Sequence, residues 1–289
     1  MMTIPELQLD PPETLLPGAI LALTTLSVVH GSVSTRGTRT ANEDATISGE
    51  FQVGSDRVNF ALVADGLGGY SGGATASALA RDEFVEQMRM CASSSGKIGD
   101  LSSVAEALQE IFGAANNAVI QYAFEHPALA EMGTTLTACV LVGNDLYVGN
   151  VGDSRAYRYR NQELVRLTKD DSTVQALVDA GVLSADEAKS HPSANEVTRA
   201  LGTPGDTDGI EVTTHTILPG DIVIVCTDGL WKVGDAILAN FSTLLNDLEF
   251  TQENLDVALE LVAEQALRDG SDDNISIAVL WAKPNKETC

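Results

Sequence analysis

Two apolar runs in this chain of 289 residues each end in an Asp-Gly pair. The first is Asn59-Phe60-Ala61-Leu62-Val63-Ala64-Asp65-Gly66, the second Ile222-Val223-Ile224-Val225-Cys226-Thr227-Asp228-Gly229. Each run is short, apolar and stopped by Gly, which is the pattern of a buried strand. Each strand therefore delivers one carboxylate to the rim of a sheet, where Gly lets the backbone turn away. If the two strands lie side by side, Asp65 and Asp228 can share a divalent cation through hard oxygen ligands. Asp-Gly is also a favoured turn pair, so turn formation is the alternative for either residue alone.

Four further segments carry residues of matching chemistry: Arg39-Thr40-Ala41-Asn42-Glu43-Asp44, Gly133-Thr134-Thr135, Gly152-Asp153-Ser154-Arg155 and Asp272-Asp273-Asn274. Glu43 and Asp44 read as ligands or as solvated charges. Arg39 reads as a phosphate clamp or as half of a structural ion pair. Asp153-Ser154-Arg155 reads as part of the site or as a hairpin turn with a local ion pair.

In order and spacing, the six segments resemble the metal-dependent serine/threonine protein phosphatases of type 2C in their compact bacterial form, over roughly residues 30–282. The resemblance implies an α+β fold: a four-layer α-β-β-α sandwich of two antiparallel sheets flanked by helix pairs. A flap would span about residues 170–200. It further implies that Asp65 bridges two Mg²⁺ or Mn²⁺ ions and that the Gly66 carbonyl binds the first. Asp228 and Asp273 would bind the second, Glu43 and Asp44 would hold metal-bound waters, and Asp153 would help bind a third, weaker ion. Arg39 would bind the substrate phosphate. The implied reaction is hydrolysis of phosphoserine and phosphothreonine on proteins, by a metal-bridging water attacking phosphorus in line, opposite a Ser/Thr kinase. One departure concerns the leaving group: Leu67 stands where eukaryotic relatives place a His, so no general acid is assigned.

The physical chemistry supports such a centre independently. Phosphate-monoester hydrolysis is among the slowest uncatalysed reactions. Paired cations roughly 3.5–4 Å apart activate water and neutralise phosphoryl oxygens. A guanidinium such as Arg39 grips phosphate through two parallel hydrogen bonds. A catalytically silent phosphoprotein-binding relative, or a hydrolase of small phosphoesters, are the competing functions.

Composition narrows the partners. With 41 acidic and 17 basic residues, the net charge is −24. Nucleic acids and anionic membranes both need a basic footprint, so neither is expected. Of the four cysteines, none lies in a CxxC, and Cys139 and Cys226 sit in apolar runs. This usage fits a reducing compartment without a zinc site. Leu15 to Val29 contains Pro17 and Gly18 and follows no Lys or Arg, unlike a signal peptide, and it is short for a membrane span. A cytoplasmic monomer is the expectation.

The elements that must position the site follow from periodicity. Strands with turn breaks are expected over 20–35 and 45–64, and helices over 73–91 and 101–125. Three strand-like runs fill 134–167, with hairpin turns at Asn144-Asp145 and Asn161-Gln162. Residues 170–200 are polar, and Ser184 with Glu187 forms a candidate capping box. Strand returns over 210–228, then a helix over 252–268 and a last strand over 274–282. The expected organisation is an extension over 1–29 with a possible first strand, a catalytic domain over 30–283 and a tail over 284–289.

Overall fold

The protein is described by a computed structural model covering residues 26–53, 56–68, 71–93 and 101–283. Most of the expected extension and the tail lie outside these residues. The described residues open with β1 (Val28–Thr35) and the hairpin β2 (Ala45–Val53) and β3 (Asp56–Ala64). The two-residue β4 (Gly66–Leu67) leads into α1 (Ser71–Ser93) and α2 (Leu101–Glu125). Then come β5 (Gly133–Thr134), β6 (Leu136–Val142), β7 (Asp145–Val151), β8 (Arg155–Arg160) and β9 (Glu163–Arg166). Two short helices, α3 (Thr173–Asp179) and α4 (Ala185–Lys189), precede β10 (Val212–Thr216) and β11 (Ile222–Cys226). The chain continues through α5 (Asp228–Trp231), α6 (Asp235–Asp247), α7 (Gln252–Arg268) and β12 (Ile275–Ala282).

The strands form two five-stranded antiparallel sheets, ordered β1-β12-β11-β8-β9 and β10-β7-β6-β3-β2. Side chains alternate between faces along each strand, and here both faces are buried. From β3, Ala61 and Val63 point at the opposing sheet, with Cys139, Leu141 and Val148 beside them and Val223, Val225, Ala278 and Leu280 opposite. Phe60, Leu62 and Ala64 point outward under α1 and α2, against Phe84, Leu108 and Phe112. On the far side, Ile224, Cys226, Ile277 and Trp281 meet Leu238, Phe241, Leu259 and Val262 of α6 and α7. These are the four layers that the resemblance implies. Double-sided burial explains why β3 and β11 read as continuous apolar runs instead of alternating ones. Each fully buried aliphatic side chain contributes roughly 1.5–3 kcal/mol.

The run 45–64 divides into β2 and β3, as its expected turn break allows. Several boundaries differ from expectation. The run between the two expected turns is β7 plus β8, which belong to different sheets. The first turn is Gly143-Asn144, because Gly143 takes φ 62° and Asp145 already pairs with Val142. Asn161 and Gln162 form the second turn as expected, both with positive φ (51° and 65°). Helix α6 has no counterpart in the sequence reading, although Ile237, Leu238, Phe241 and Leu245 keep a helical period and are buried. The capping box at Ser184 and Glu187 is present. The base of the 170–200 segment is pinned shut: Thr173 N–H donates to Glu196 O (2.9 Å) and Thr198 N–H to Asp171 O (2.8 Å).

Candidate metal centre

Strand register brings all six segments to one end of the sandwich. In one sheet Ala64, the last residue of β3, pairs with Ala45, the first of β2, and Leu136 pairs with Val151. Asp65, Glu43, Asp44, Thr135 and Asp153 therefore flank the same edge. In the other sheet Cys226 pairs with both Arg155 and Ile277, and Thr35 pairs with Ile275. Asp228, Asp273 and the turn carrying Arg39 thus share that sheet's edge. β3 and β11 are not neighbours in one sheet; they face each other across the sandwich. Asp65 and Asp228 meet across the inter-sheet core instead of along a ladder, which corrects the side-by-side arrangement.

Backbone anchors fix each acid. The Asp65 amide donates to Thr135 Oγ1 (2.9 Å), and its carbonyl accepts from Thr134 Oγ1 (2.9 Å) and the Thr135 amide (2.9 Å). At Gly66 a Cβ would collide with the Gly73 and Glu43 carbonyls, so only Gly lets the chain pass between Glu43 and the first turn of α1. Asn274 is the hub of the opposite wall. Its Nδ2 donates to the Arg36 and Ala41 carbonyls (both 2.9 Å), and its Oδ1 accepts from the Glu43 amide (2.8 Å). Asp44 Oδ2 accepts from Thr227 Oγ1 (2.9 Å), bridging the two sheets. Asp153 lies where the chain crosses from β7 to β8, so the hairpin-turn alternative does not hold. Its carbonyl accepts from Trp231 Nε1 (3.0 Å). The Arg155 guanidinium lies 3.4 Å from the Trp231 ring centroid and grips buried Asp170 through Nε (3.0 Å) and Nη2 (2.7 Å).

The charges at this rim do not balance. Burial, then the charges of Asp44, Asp228, Asp153 and Asp273, pushes the Asp65 carboxyl well above the usual carboxylate range. Burial pushes Asp44 up to about 7, against hydrogen bonds from Ser276 and Thr227. Asp153 also rises to about 7, first through burial and then through Asp228, with Lys232 opposing. Glu43 shifts upward chiefly through burial. Glu43 Oε1 and Asp228 Oδ1 are buried with no hydrogen-bond partner. Acceptor-only oxygens in that position call for a cation or a proton, and hard carboxylate and carbonyl donors suit Mg²⁺ or Mn²⁺. The residues present therefore fit a divalent-metal centre.

Arg39 and Lys232 reach the cluster. Arg39 Nη2 lies 2.7 Å from Asp273 Oδ2, and its Nε donates to the Asp272 carbonyl (3.1 Å). Lys232 Nζ lies 2.5 Å from Asp228 Oδ2. Among the described residues, no three acidic, His or Cys side chains are already closed into a group that could hold a metal ion. Asp272 is exposed. Sequence reasoning missed Lys232, Trp231, Asp170 and Thr227 as members of the site. Asp170 and Lys232 carry no sequence signal, because only the fold brings them near Arg155 and Asp228.

Two facing antiparallel sheets, helices outside and carboxylates gathered at one edge define a known class, and the chain belongs to it: residues 33–269 match the family described as Protein phosphatase 2C. Among curated relatives, the serine/threonine protein phosphatase PstP of Mycobacterium tuberculosis is 34% identical over 260 residues, covering 90% of this chain and 46% of PstP. The chain thus spans about half the length of PstP. The serine/threonine phosphatase stp of Listeria innocua is 29% identical over 257 residues, covering 87% of this chain and 95% of stp. The crystal structure of M. tuberculosis PstP superposes with a TM-score of 0.73 at 30% identity, covering 89% of this chain and 99% of that one. The PstP catalytic domain in complex with two manganese ions gives 0.71 at 30% identity, covering 90% and 100%. Among the described residues, no helix is long and apolar enough to cross a membrane.

Proposed function

We propose that this chain is an Mg²⁺- or Mn²⁺-dependent phosphatase that hydrolyses phosphoserine and phosphothreonine on proteins. The observation that carries the reading is the convergence of six segments on one rim whose buried acids outnumber the basic groups that reach them. In this reading Asp65, the Gly66 carbonyl, Asp228 and Asp273 would hold two ions. Glu43 and Asp44 orient surrounding waters, and Asp153 serves a weaker third position. Bound cations would supply water activation and charge neutralisation for the phosphoryl group. The Thr134 and Thr135 contacts hold Asp65 still, and Asn274 keeps Glu43 at the rim. Arg39 has 53% of its side chain exposed. A phosphate dianion at the mouth can therefore compete with Asp273 and the Asp272 carbonyl for its N–H groups.

The likeness to PstP and stp supports protein substrates; a cognate Ser/Thr kinase and action as a cytoplasmic monomer belong to the same proposal. A panel of phosphoserine, phosphothreonine and phosphotyrosine peptides and small phosphometabolites, assayed with Mn²⁺ and with chelator, tests the reading. Expected is Mn²⁺-dependent release from the first two peptides, abolished by chelator and restored by metal. Metal-independent turnover, or preference for the small phosphoesters, would overturn it.

A further inference from the structure

Lys232 has no part in that chemistry, yet it stands on the rim. It closes the one-turn helix α5, next to Trp231. Its ammonium lies 2.5 Å from Asp228 Oδ2 and also donates to Asn195 Oδ1 at 2.7 Å. Only 33% of its side chain is exposed, and Asp228 opposite is 13% exposed. Asn195 belongs to the 170–200 segment. The adjoining Trp231 indole ties the same place to Asp153, through the hydrogen bond to the Asp153 carbonyl. The ammonium therefore stands on the Asp228 side of the cluster, beside the wall that carries Asp153, and is latched to the flap.

We propose that Lys232 is a tethered cation that takes the place of a third divalent ion between Asp228 and Asp153 and weakens binding of any such ion there. The inference rests on reading the rim as a metal centre. The ammonium on Asp228 Oδ2 neutralises negative charge that a divalent ion would draw on there. If the ammonium stays nearby, its charge repels the incoming ion at close range in a partly desolvated site, where Coulomb terms are large. If it leaves, the Asn195 contact breaks as well. The centre then works chiefly with its two tightly held ions, and the flap stays docked while it does so.

The test is a calorimetric titration of Mn²⁺ into the metal-free full chain, comparing wild type, Lys232→Met, Lys232→Gln, Lys232→Arg and Asp65→Asn. Lys232→Gln keeps a donor for Asn195 without the charge, and so guards against a folding defect in Lys232→Met. The expected result is a third binding step in both neutral variants, at least about tenfold tighter than any third step in wild type. Lys232→Arg, which keeps the charge, should follow the wild-type isotherm. Equal third-site affinity in wild type and the neutral variants would overturn the inference, as would a gain in Lys232→Arg. Two tight sites in wild type that Asp65→Asn abolishes keep the metal-centre reading intact even if Lys232 fails. If wild type and Asp65→Asn bind Mn²⁺ alike, or neither binds it, both readings fall.

Discussion

Removing one charge from the rim should stabilise the metal-free protein, but only above a definite pH. Asp153 is the residue to change, because it is 5% exposed and its carboxyl is raised from 3.8 to about 7. Burial is the larger cause, and the charge of Asp228 adds to it. A shift of that size corresponds to ~4 kcal/mol between protonation states. The folded-state value lies above the unfolded one, which fixes the sign. Well below pH 4 both states hold the proton and nothing is lost, and near pH 4 the cost is still small. As pH rises towards 7 the unfolded chain ionises freely while the fold resists, and above that the fold bears the whole cost. The substitution Asp153→Asn keeps the side chain's shape without its charge. In chelator the variant should match wild type near pH 4 and melt higher near pH 8. At roughly 2 °C per kcal/mol for a chain of this size, the upper bound is a rise on the order of 8 °C. Scanning calorimetry at both pH values measures it. A pH-independent difference, or a variant less stable than wild type near pH 8, would refute the argument that this rim is under electrostatic strain. Saturating Mn²⁺ should shrink or reverse the gap, since a ligand of the native state stabilises it by mass action.

Three further outcomes follow from the same geometry. Asp228→Asn should lower turnover by at least about 100-fold in saturating Mn²⁺, the scale of a lost transition-state electrostatic contact; near-normal turnover would remove Asp228 from the centre. Arg39→Ala should lower kcat/KM for every phosphoester while leaving calorimetric Mn²⁺ affinity little changed. Because Arg39 also pairs with Asp273, a variant that fails only through altered metal affinity would make that pairing its whole role. Asn274→Ala should cost roughly 3 kcal/mol, about 1 kcal/mol for each of its three side-chain hydrogen bonds to the 36–43 loop. That is a fall of ~6 °C in Tm, and a fall below ~1 °C would show that the loop is held elsewhere.

The sandwich and its site differ in how openly the sequence displays them. Strands buried on both faces announce themselves as unbroken apolar runs, so β3, β11 and β12 are legible to within a few residues. Helix α2 keeps its apolar period from Val104 to Tyr122, and its expected bounds match the observed Leu101–Glu125. Helix α6 shows the same period over a shorter stretch, and it follows closely on the Asp228-Gly229 turn, whose acid dominates any reading of that region. What periodicity does not carry is which sheet a strand joins. The run from Leu146 to Tyr159 looks continuous, yet Gly152, with φ 102°, turns it from one sheet to the other. That crossing is what sets Asp153 at the rim.

Motif matching likewise names residues without separating their duties. Thr134, Thr135 and Asn274 sit inside matched segments, but their side chains hold backbone: Asp65 on one wall, the 36–43 loop on the other. Asp170 and Lys232 sit outside every matched segment and still act on the site, through Arg155 and Asp228. The division follows from register. A ligand at a strand end inherits its position from a ladder of backbone pairs, and a short local pattern is enough to reveal it. A side chain that balances the ligand's charge needs only to arrive within reach from any element, and nothing in the sequence around it has to record that. The charge balance of the rim is therefore set by the residues that sequence comparison is least able to find, and it is there that this chain can differ in metal binding from relatives that share all six segments.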